Sequence, residues 1–430
     1  MGLNWTIAVL FVLTVGNYWI KRSVLYPPFL FCSVWFLATG LYRMDIVETD
    51  TIQPSTLAIF VVGAILFTAG GVLADLVPRA WVETRFVLTR FPQRNNLVKP
   101  LLVLFLLCGI PMQIQSLRAE AAQGEGGTFL ERARNAGITA QRNGQAIEGM
   151  ASGISIYFVT WTLFTAIIFM LEKRDKICWF VVFLALLTSI LTTGRTSLLQ
   201  LFAALICTHL MTTGRIRLWA ALKVARIPLL IFGFLFLGLV FVNKNQQSQF
   251  YGSGVAEIAG VFFVSYIVGP LAALDAFLQN PGDMSAVPNH TFKFYLSILA
   301  HFHVISYTPA PMLQDFVGVP YPVNVYTMYK DYVIDFGIPW ALVTVGIIGF
   351  LHTLLYRKAL TGSLLGKFLF ALSMFPVFMA IFTDQYSSLG NYTNALLFGA
   401  IYIVLQSLAI RFLPSVSGGY GVPVELEVTK

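Results

Sequence analysis

The sequence predicts an all-α, polytopic integral membrane protein, and three observations carry that expectation. Hydrophobic residues make up 57% of the 430-residue chain and charged ones only 11%, with a mean hydropathy of +0.75, which excludes an ordinary soluble domain. The apolar residues are gathered into separate runs of hydrocarbon length, roughly 17 to 25 residues each. The basic residues collect in alternate connections between those runs, as expected when short cytoplasmic loops retain Lys and Arg.

The runs fall at residues 3–20, 26–41, 56–73, 99–114, 153–171, 177–191, 197–211, 227–242, 332–356, 363–381 and 393–410, with 255–277 and 292–307 as two further candidates. No water is present inside a bilayer to pair backbone N–H and C=O groups, so each run closes its own hydrogen bonds as a helix. The pattern is not the dyad alternation of an outer-membrane barrel. No internal repeat suggests the two inverted halves of a transporter, and residues 1–430 read as a single membrane domain.

The loops holding Lys21 and Arg22, residues 79–99, 173–176, 215–226 and 357–367, and the tail with Arg411 and Lys430 contain 19 of the 28 Lys and Arg residues. They are placed inside. The amino terminus is then outside and the tail, 412–430, is cytoplasmic, which needs an odd number of spans; eleven and thirteen both satisfy it. Residues 278–291 carry Asp283 and no Lys or Arg, which favours a re-entrant or interfacial 255–277 and an outward-facing 278–331. The net charge of +8 thus reports topology, not nucleic-acid binding. No basic n-region precedes the first run and no small-residue cleavage site follows it, so it reads as a retained helix. Cys32, Cys108, Cys178 and Cys207 lie in apolar runs without metal or C-x-x-C spacing and read as small packing residues.

One turn stands out. Leu191-Thr-Thr-Gly-Arg-Thr-Ser-Leu198 sets a glycine and an arginine between two apolar runs, and a guanidinium at a membrane surface is expensive unless it grips an anion. Gly194 lets the backbone approach a ligand. Thr196 or Ser197 can cap the next helix and aim its positive end outward, and Arg195 offers the two-pronged grip that suits phosphate oxygens. The bland alternative is an interfacial anchor snorkelling to headgroups. The same tetrapeptide recurs as Thr212-Thr-Gly-Arg215, on the side where Arg217, Lys223 and Arg226 follow the positive-inside rule, and there the anchor reading is preferred.

Residues 115–152 form an outward segment longer than a connector needs. It holds Arg118, Arg132, Arg134 and Arg142, against the charge rule obeyed by the other outward loops. Thr128-Phe-Leu-Glu131 reads as a capping box opening a short helix that Gly137 can end. Arg132 and Arg134 point about 200° apart around such a helix, so both reach one site only from within a cleft; an exposed helix with Glu–Arg pairs is the plainer alternative.

Asp331 and Asp335 sit at the outer mouth of a late apolar run and share a helical face at i, i+4. A helix cap accounts for one of them. Asp335, one turn deeper, is the costlier to bury and so the stronger functional candidate. His301 and His303 face apart on a helix and have no third ligand nearby, so they predict no metal, although either can accept a proton near neutrality. Glu257, Asp275 and Asp384 are further outward acids that the sequence does not rank. Tyr321, Tyr326 and Tyr329 are candidates for a glycan groove, or members of the interfacial aromatic belt.

The Gly-Arg-Thr turn, Tyr266-Ile-Val-Gly-Pro-Leu-Ala-Ala-Leu-Asp275, Asn324-Val-Tyr-Thr and Asp335-Phe-Gly together resemble the bacterial oligosaccharide repeat unit polymerases, the Wzy proteins of O-antigen and capsule assembly, across about residues 190–350. The resemblance implies a glycosyltransferase on the periplasmic face of the inner membrane. Its substrate would be an undecaprenyl-diphosphate-linked oligosaccharide, with membrane lipid around it and a chain-length regulator protein as a possible partner. It implies no cofactor and no metal, arginines in place of a divalent ion, and a base for the acceptor hydroxyl. Arg195 matches the family's Gly-Arg turn; Arg118, Arg132 and Arg134 correspond only in lying on an outward loop. Asp335 is the first candidate base, followed by His303 and His301. An O-antigen ligase shares the donor and is weakly separated by sequence. A lipid-linked oligosaccharide flippase or other transporter would place charges along a path through the membrane, whereas here the run interiors are almost uncharged.

On this reading Arg195→Lys inserts and folds yet loses most polymer, because a point-like ammonium cannot reproduce a bidentate grip, while Arg215→Lys is nearly silent. Surface-glycan ladders resolved by gel electrophoresis check both.

Overall fold

The computed structural model describes residues 2–46, 49–82, 98–129, 132–133, 135–136, 139, 161–168, 170–171, 176–191, 195–241, 255–281, 288–307, 314–319, 322–386, 399–400 and 404. These residues are overwhelmingly helical, as a chain that must satisfy its backbone without water requires. The helices are α1 (Leu3–Lys21), α2 (Pro27–Arg43), α3 (Pro54–Leu76), α4 (Arg79–Val82), α5 (Val98–Gln123), α6 (Lys176–Leu191), α7 (Arg195–Thr213), α8 (Leu218–Phe241), α9 (Val255–Gln279), α10 (Lys293–His301), α11 (Tyr329–Leu360) and α12 (Leu364–Met379). A two-residue ladder pairs β1 (Val317–Gly318) with β2 (Pro322–Val323) antiparallel. Among the described residues, five helices are long and apolar enough to cross a membrane: α1, α3, α7, α8 and α11. The protein is an all-α membrane protein. Residues 153–160 of the run 153–171 and most of the run 393–410, with the tail 412–430, lie outside the described residues.

Local sequence sets the helix ends. Pro27 and Pro54 open α2 and α3, positions where proline's missing N–H costs nothing. The Ser363 hydroxyl accepts the Gly366 N–H at 3.2 Å and caps α12. Helix α10 has nine residues, about 14 Å, and cannot cross a core of about 30 Å. The candidate span 292–307 is thus a short helix followed by turns. Helix α5 runs past the apolar stretch to Gln123, so residues 115–123 and Arg118 belong to a helix rather than to the loop expected from the sequence.

The central contact is between α3 and α11, the most extensive pairing in the bundle. A Cβ on Gly70 would run into the Gly346 carbonyl, and one on Gly349 into the Phe67 carbonyl. Lipid gives helices no hydrophobic reason to associate, so close backbone approach through small residues supplies the dispersion contacts instead. Around this pair pack Trp35, Phe60, Phe31 and Phe67, with the last two rings stacked at 4.1 Å. Neighbour packing continues from α11 to α12, then α7, α6 and α5.

The bundle has two chemically distinct ends. At one, Lys21 pairs with Asp75 at 3.0 Å, the Arg357 guanidinium bonds the Ala74 carbonyl, Lys358 Nζ bonds the Val82 carbonyl at 2.6 Å, and Val24 N–H donates to Ile216 O at 2.8 Å. The basic connections around residues 21, 79, 216 and 357 therefore meet at one end. At the other end Asp275 accepts from Gln53 N–H (2.9 Å), Thr56 Oγ1 (2.5 Å) and Gln279 Nε2 (2.8 Å). Helix α9 is continuous from Val255 to Gln279, and in its second half Tyr266 stacks on Phe382 at 5.0 Å, Gly269 meets Val323, and Phe277 meets Tyr326.

The fold predicts that Gly70→Leu costs more than the 1–3 kcal/mol typical of overpacking, because the obstacle is backbone that no rotamer can clear. Gly16→Ala, with nothing within 4 Å of the added methyl, leaves stability unchanged or slightly raised. Thermal unfolding in detergent, followed by size exclusion, measures the difference.

Candidate functional site

Helix α11 is broken at Gly337, whose φ of 71° and ψ of 167° are not helical, a conformation readily open only to glycine. Pro339 follows and opens the longer second piece. Asp331 and Asp335 lie on the short piece before the break, where the sequence expected both at the mouth of one straight helix. The depth order is accordingly reversed: Asp331 is buried, at 7% exposure, while Asp335 is half-buried.

Asp335 is occupied. Its two oxygens accept the His290 N–H at 3.2 and 3.1 Å and the Thr291 N–H at 2.6 Å. These donors precede α10, whose own N-cap Phe292 offers no side-chain acceptor, so Asp335 supplies the missing cap from another helix. Both of its oxygens are bonded to backbone, and this is the work of a fastener rather than of a free base.

Asp331 has the more varied surroundings. His290 Nδ1 lies 3.6 Å from its Oδ1, and Gln314 Nε2 donates to the same oxygen at 3.4 Å. Lys293 also acts on it electrostatically. Lys330 Nζ donates to Gln314 Oε1 at 3.0 Å and sits 3.3 Å from the centroid of the Tyr326 ring, a cation–π contact. The site therefore combines a buried carboxylate, an imidazole and two ammonium groups. Burial lowers the His290 pKa from its ordinary value, Asp335 opposes that, and Lys330 and Lys293 add to the lowering. Asp331 is the nearer side chain to the ring, yet Asp335 exerts the larger pull. The sign is nevertheless set by burial, so the imidazole is neutral at neutral pH and able to accept a proton. Burial likewise lowers Lys293, with Asp331 opposing.

The other candidates fall in several places. His303 stands past the end of α10, exposed, with a left-handed φ of 56° and its N–H on Ala300 O at 2.9 Å; it terminates the helix. His301 is the last residue of α10. Tyr326 is buried and donates to the Asp315 carbonyl at 3.1 Å, tying together the segments that flank β1 and β2. Tyr329 is wholly buried against Trp35, Phe60 and Gly63, so it belongs to the core and not to a groove open to glycan. Tyr321, Gly194 and Arg134 lie outside the described residues.

Arg195 is the first residue of α7, where Thr196 or Ser197 was expected to open the helix. That end of α7 is level with the Asp384 segment, since Leu199 packs with Met379 and Phe382. Arg215, at the opposite end of α7, adjoins the basic connections. Arg118 and Arg132 are both exposed, and Ala133 packs back on Leu117 and Ala121 of α5, so the two arginines stand on adjoining segments. The packing order leaves α6, α7 and α12 between them and α11.

Sequence reasoning missed His290, Lys293, Lys330 and Gln314. No local motif marks them, and only the docking of the 288–307 and 314–319 segments on α11 reveals them. No group of three or more His, Cys, Asp or Glu suited to a metal occurs among the described residues. Comparison of the chain with family models, curated proteins and solved structures finds no match.

If Asp335 fastens α10, Asp335→Ala unpairs two backbone N–H groups, at about 1–2 kcal/mol, and speeds hydrogen exchange across residues 288–303. Asp335→Asn, whose amide oxygen still accepts, has a smaller effect.

Proposed function

We propose that the chain is a membrane glycosyltransferase, an oligosaccharide repeat unit polymerase. It moves a growing glycan from undecaprenyl diphosphate to a sugar hydroxyl of the next lipid-linked unit, on the periplasmic face of a bacterial inner membrane. One observation carries the reading: the buried Asp331 is gathered with His290, Lys293 and Lys330 at the bundle end opposite the basic connections. The positive-inside rule assigns that end to the outside, where the donor's diphosphate lies at headgroup depth. The segmental resemblance to the Wzy proteins supplies the reaction class.

Transfer breaks the anomeric C–O bond to the diphosphate, forms a glycosidic bond to the acceptor oxygen, and releases one proton. The Arg195 guanidinium stabilises the negative charge on the leaving diphosphate, whereas Arg118 and Arg132, separated from α11 by α6, α7 and α12, take no part in the step. One such preorganised donor is worth about 3 kcal/mol. Asp331 takes the acceptor proton, since it is buried and, among the described residues, meets the Gln314 and His290 side chains, while Asp335 positions the loop that brings His290 to it. The neutral His290 ring passes the proton on.

Deleting the gene leaves single repeat units on the lipid core, and complementation restores the ladder. Asp331→Asn, at unchanged protein level, gives no ladder; Asp335→Asn gives a weakened one. A core without any repeat unit instead identifies a ligase, and an unchanged ladder rules out both activities.

A further inference from the structure

Helix α8 carries cations on the side it turns away from the protein. Its start is held in place: Gly214 takes a left-handed φ of 65°, the Ile216 carbonyl accepts the Val24 N–H at 2.8 Å, and the Leu218 N–H donates to the Tyr18 hydroxyl at 3.2 Å. Ala221 is then buried in the core, with Leu218 and Val224 packed against it. The opposite side of the helix faces outward. At about 100° per residue, Trp219, Lys223, Arg226, Ile227, Leu230 and Phe234 fall within about 100° of one another, and all six are exposed.

Charge sets this face apart from an ordinary lipid-facing stripe. From residue 177 to residue 256 the chain has six basic residues and no acid, and among the described residues neither Lys223 nor Arg226 pairs with a carboxylate. Cations beside a membrane are expensive until an anion comes to them. Depth is the second distinction. Lys223 and Arg226 are neighbours at i, i+3, about 4.5 Å apart along the axis, and an unbroken apolar stretch begins at the next residue, Ile227. Trp219 stands about 6 Å to the other side of Lys223, and an indole favours the headgroup region. Indole, cations and apolar side chains thus follow one another in the order of a phospholipid's headgroup, phosphate and tail. A free phosphate ion would engage the cations and leave the apolar residues untouched.

We propose that this face of α8 is a binding site for an anionic phospholipid, with Lys223 and Arg226 on its phosphate and Ile227, Leu230 and Phe234 along an acyl chain. The guanidinium offers paired N–H donors to the phosphate oxygens, and the ammonium adds a second charge. A zwitterionic lipid brings an ammonium of its own, which both side chains repel. Each basic side chain near the surface favours an anionic lipid by about fivefold. No bond is made or broken, and the site stands apart from glycosyl transfer.

The full chain is reconstituted into phosphatidylcholine vesicles carrying a minor amount of phosphatidylglycerol brominated on its acyl chains, or the same amount of phosphatidylcholine brominated likewise. In every background the Trp219 signal is the difference in fluorescence between the chain with Trp219 and its Trp219→Phe variant. The brominated phosphatidylglycerol quenches that signal several-fold more strongly than the brominated phosphatidylcholine. Lys223→Gln with Arg226→Gln makes the two lipids equal. Arg215→Gln with Arg217→Gln removes the same charge from exposed residues ahead of the helix and keeps the preference. Equal quenching in the wild type, no quenching by either lipid, or a preference that survives the Lys223 and Arg226 changes overturns the site. A preference lost alike in both pairs of changes also overturns it, because charge alone then accounts for the attraction. These readings use no lipid-linked sugar and are separate from the fate of the polymerase reading.

Discussion

The backbone-to-backbone approach of α3 and α11 organises the molecule. Gly70 lies on the Gly346 carbonyl and Gly349 on the Phe67 carbonyl, and no larger side chain fits between them. That contact fixes the depth of every group along α11: Tyr329 and Asp331 at one end, His352 within, Tyr356 and Arg357 at the other. It also brings the Tyr329 hydroxyl into the space a side chain on Gly63 would fill. Apolar lipid offers little to hold helices together, so such contacts and a few buried hydrogen bonds must do it.

The break at Gly337 converts this scaffold into a site. A straight α11 would carry Asp331 and Asp335 along one face into the bilayer. The left-handed glycine turns the first piece instead, and the two carboxylates diverge in role. Asp335 ties down the turn before α10; Asp331 faces His290 and Gln314. Helix α9 lies over the same end and is pinned through Asp275 to the start of α3, which encloses the cluster from the side.

Much of the architecture was legible in the linear chain, because hydropathy and charge act over lengths the sequence displays directly. The runs at 3–20, 56–73 and 332–356 correspond to α1, α3 and α11, and the basic connections around residues 21, 79, 216 and 357 meet at one end. Less was legible where length decided the outcome: 292–307 was apolar enough to span, but its helix stops at His301, where His303 takes a left-handed turn. Of the site, Asp331 and Asp335 were visible as a pair, but their order of burial was not, since it depends on a kink. His290, Lys293, Lys330 and Gln314 carried no motif at all.

By itself, the sequence determined that this is an all-α membrane protein, because transfer from water to lipid is a property of each segment alone. Tertiary structure alone decided which of those groups meet. Whether a carboxylate caps a helix or stays free for chemistry, and whether a histidine inside the bundle finds one partner or two, depends on atoms brought together from distant segments. Those distances are set by how closely α3 and α11 approach and by the angle at Gly337, neither of which is encoded in any local run of residues.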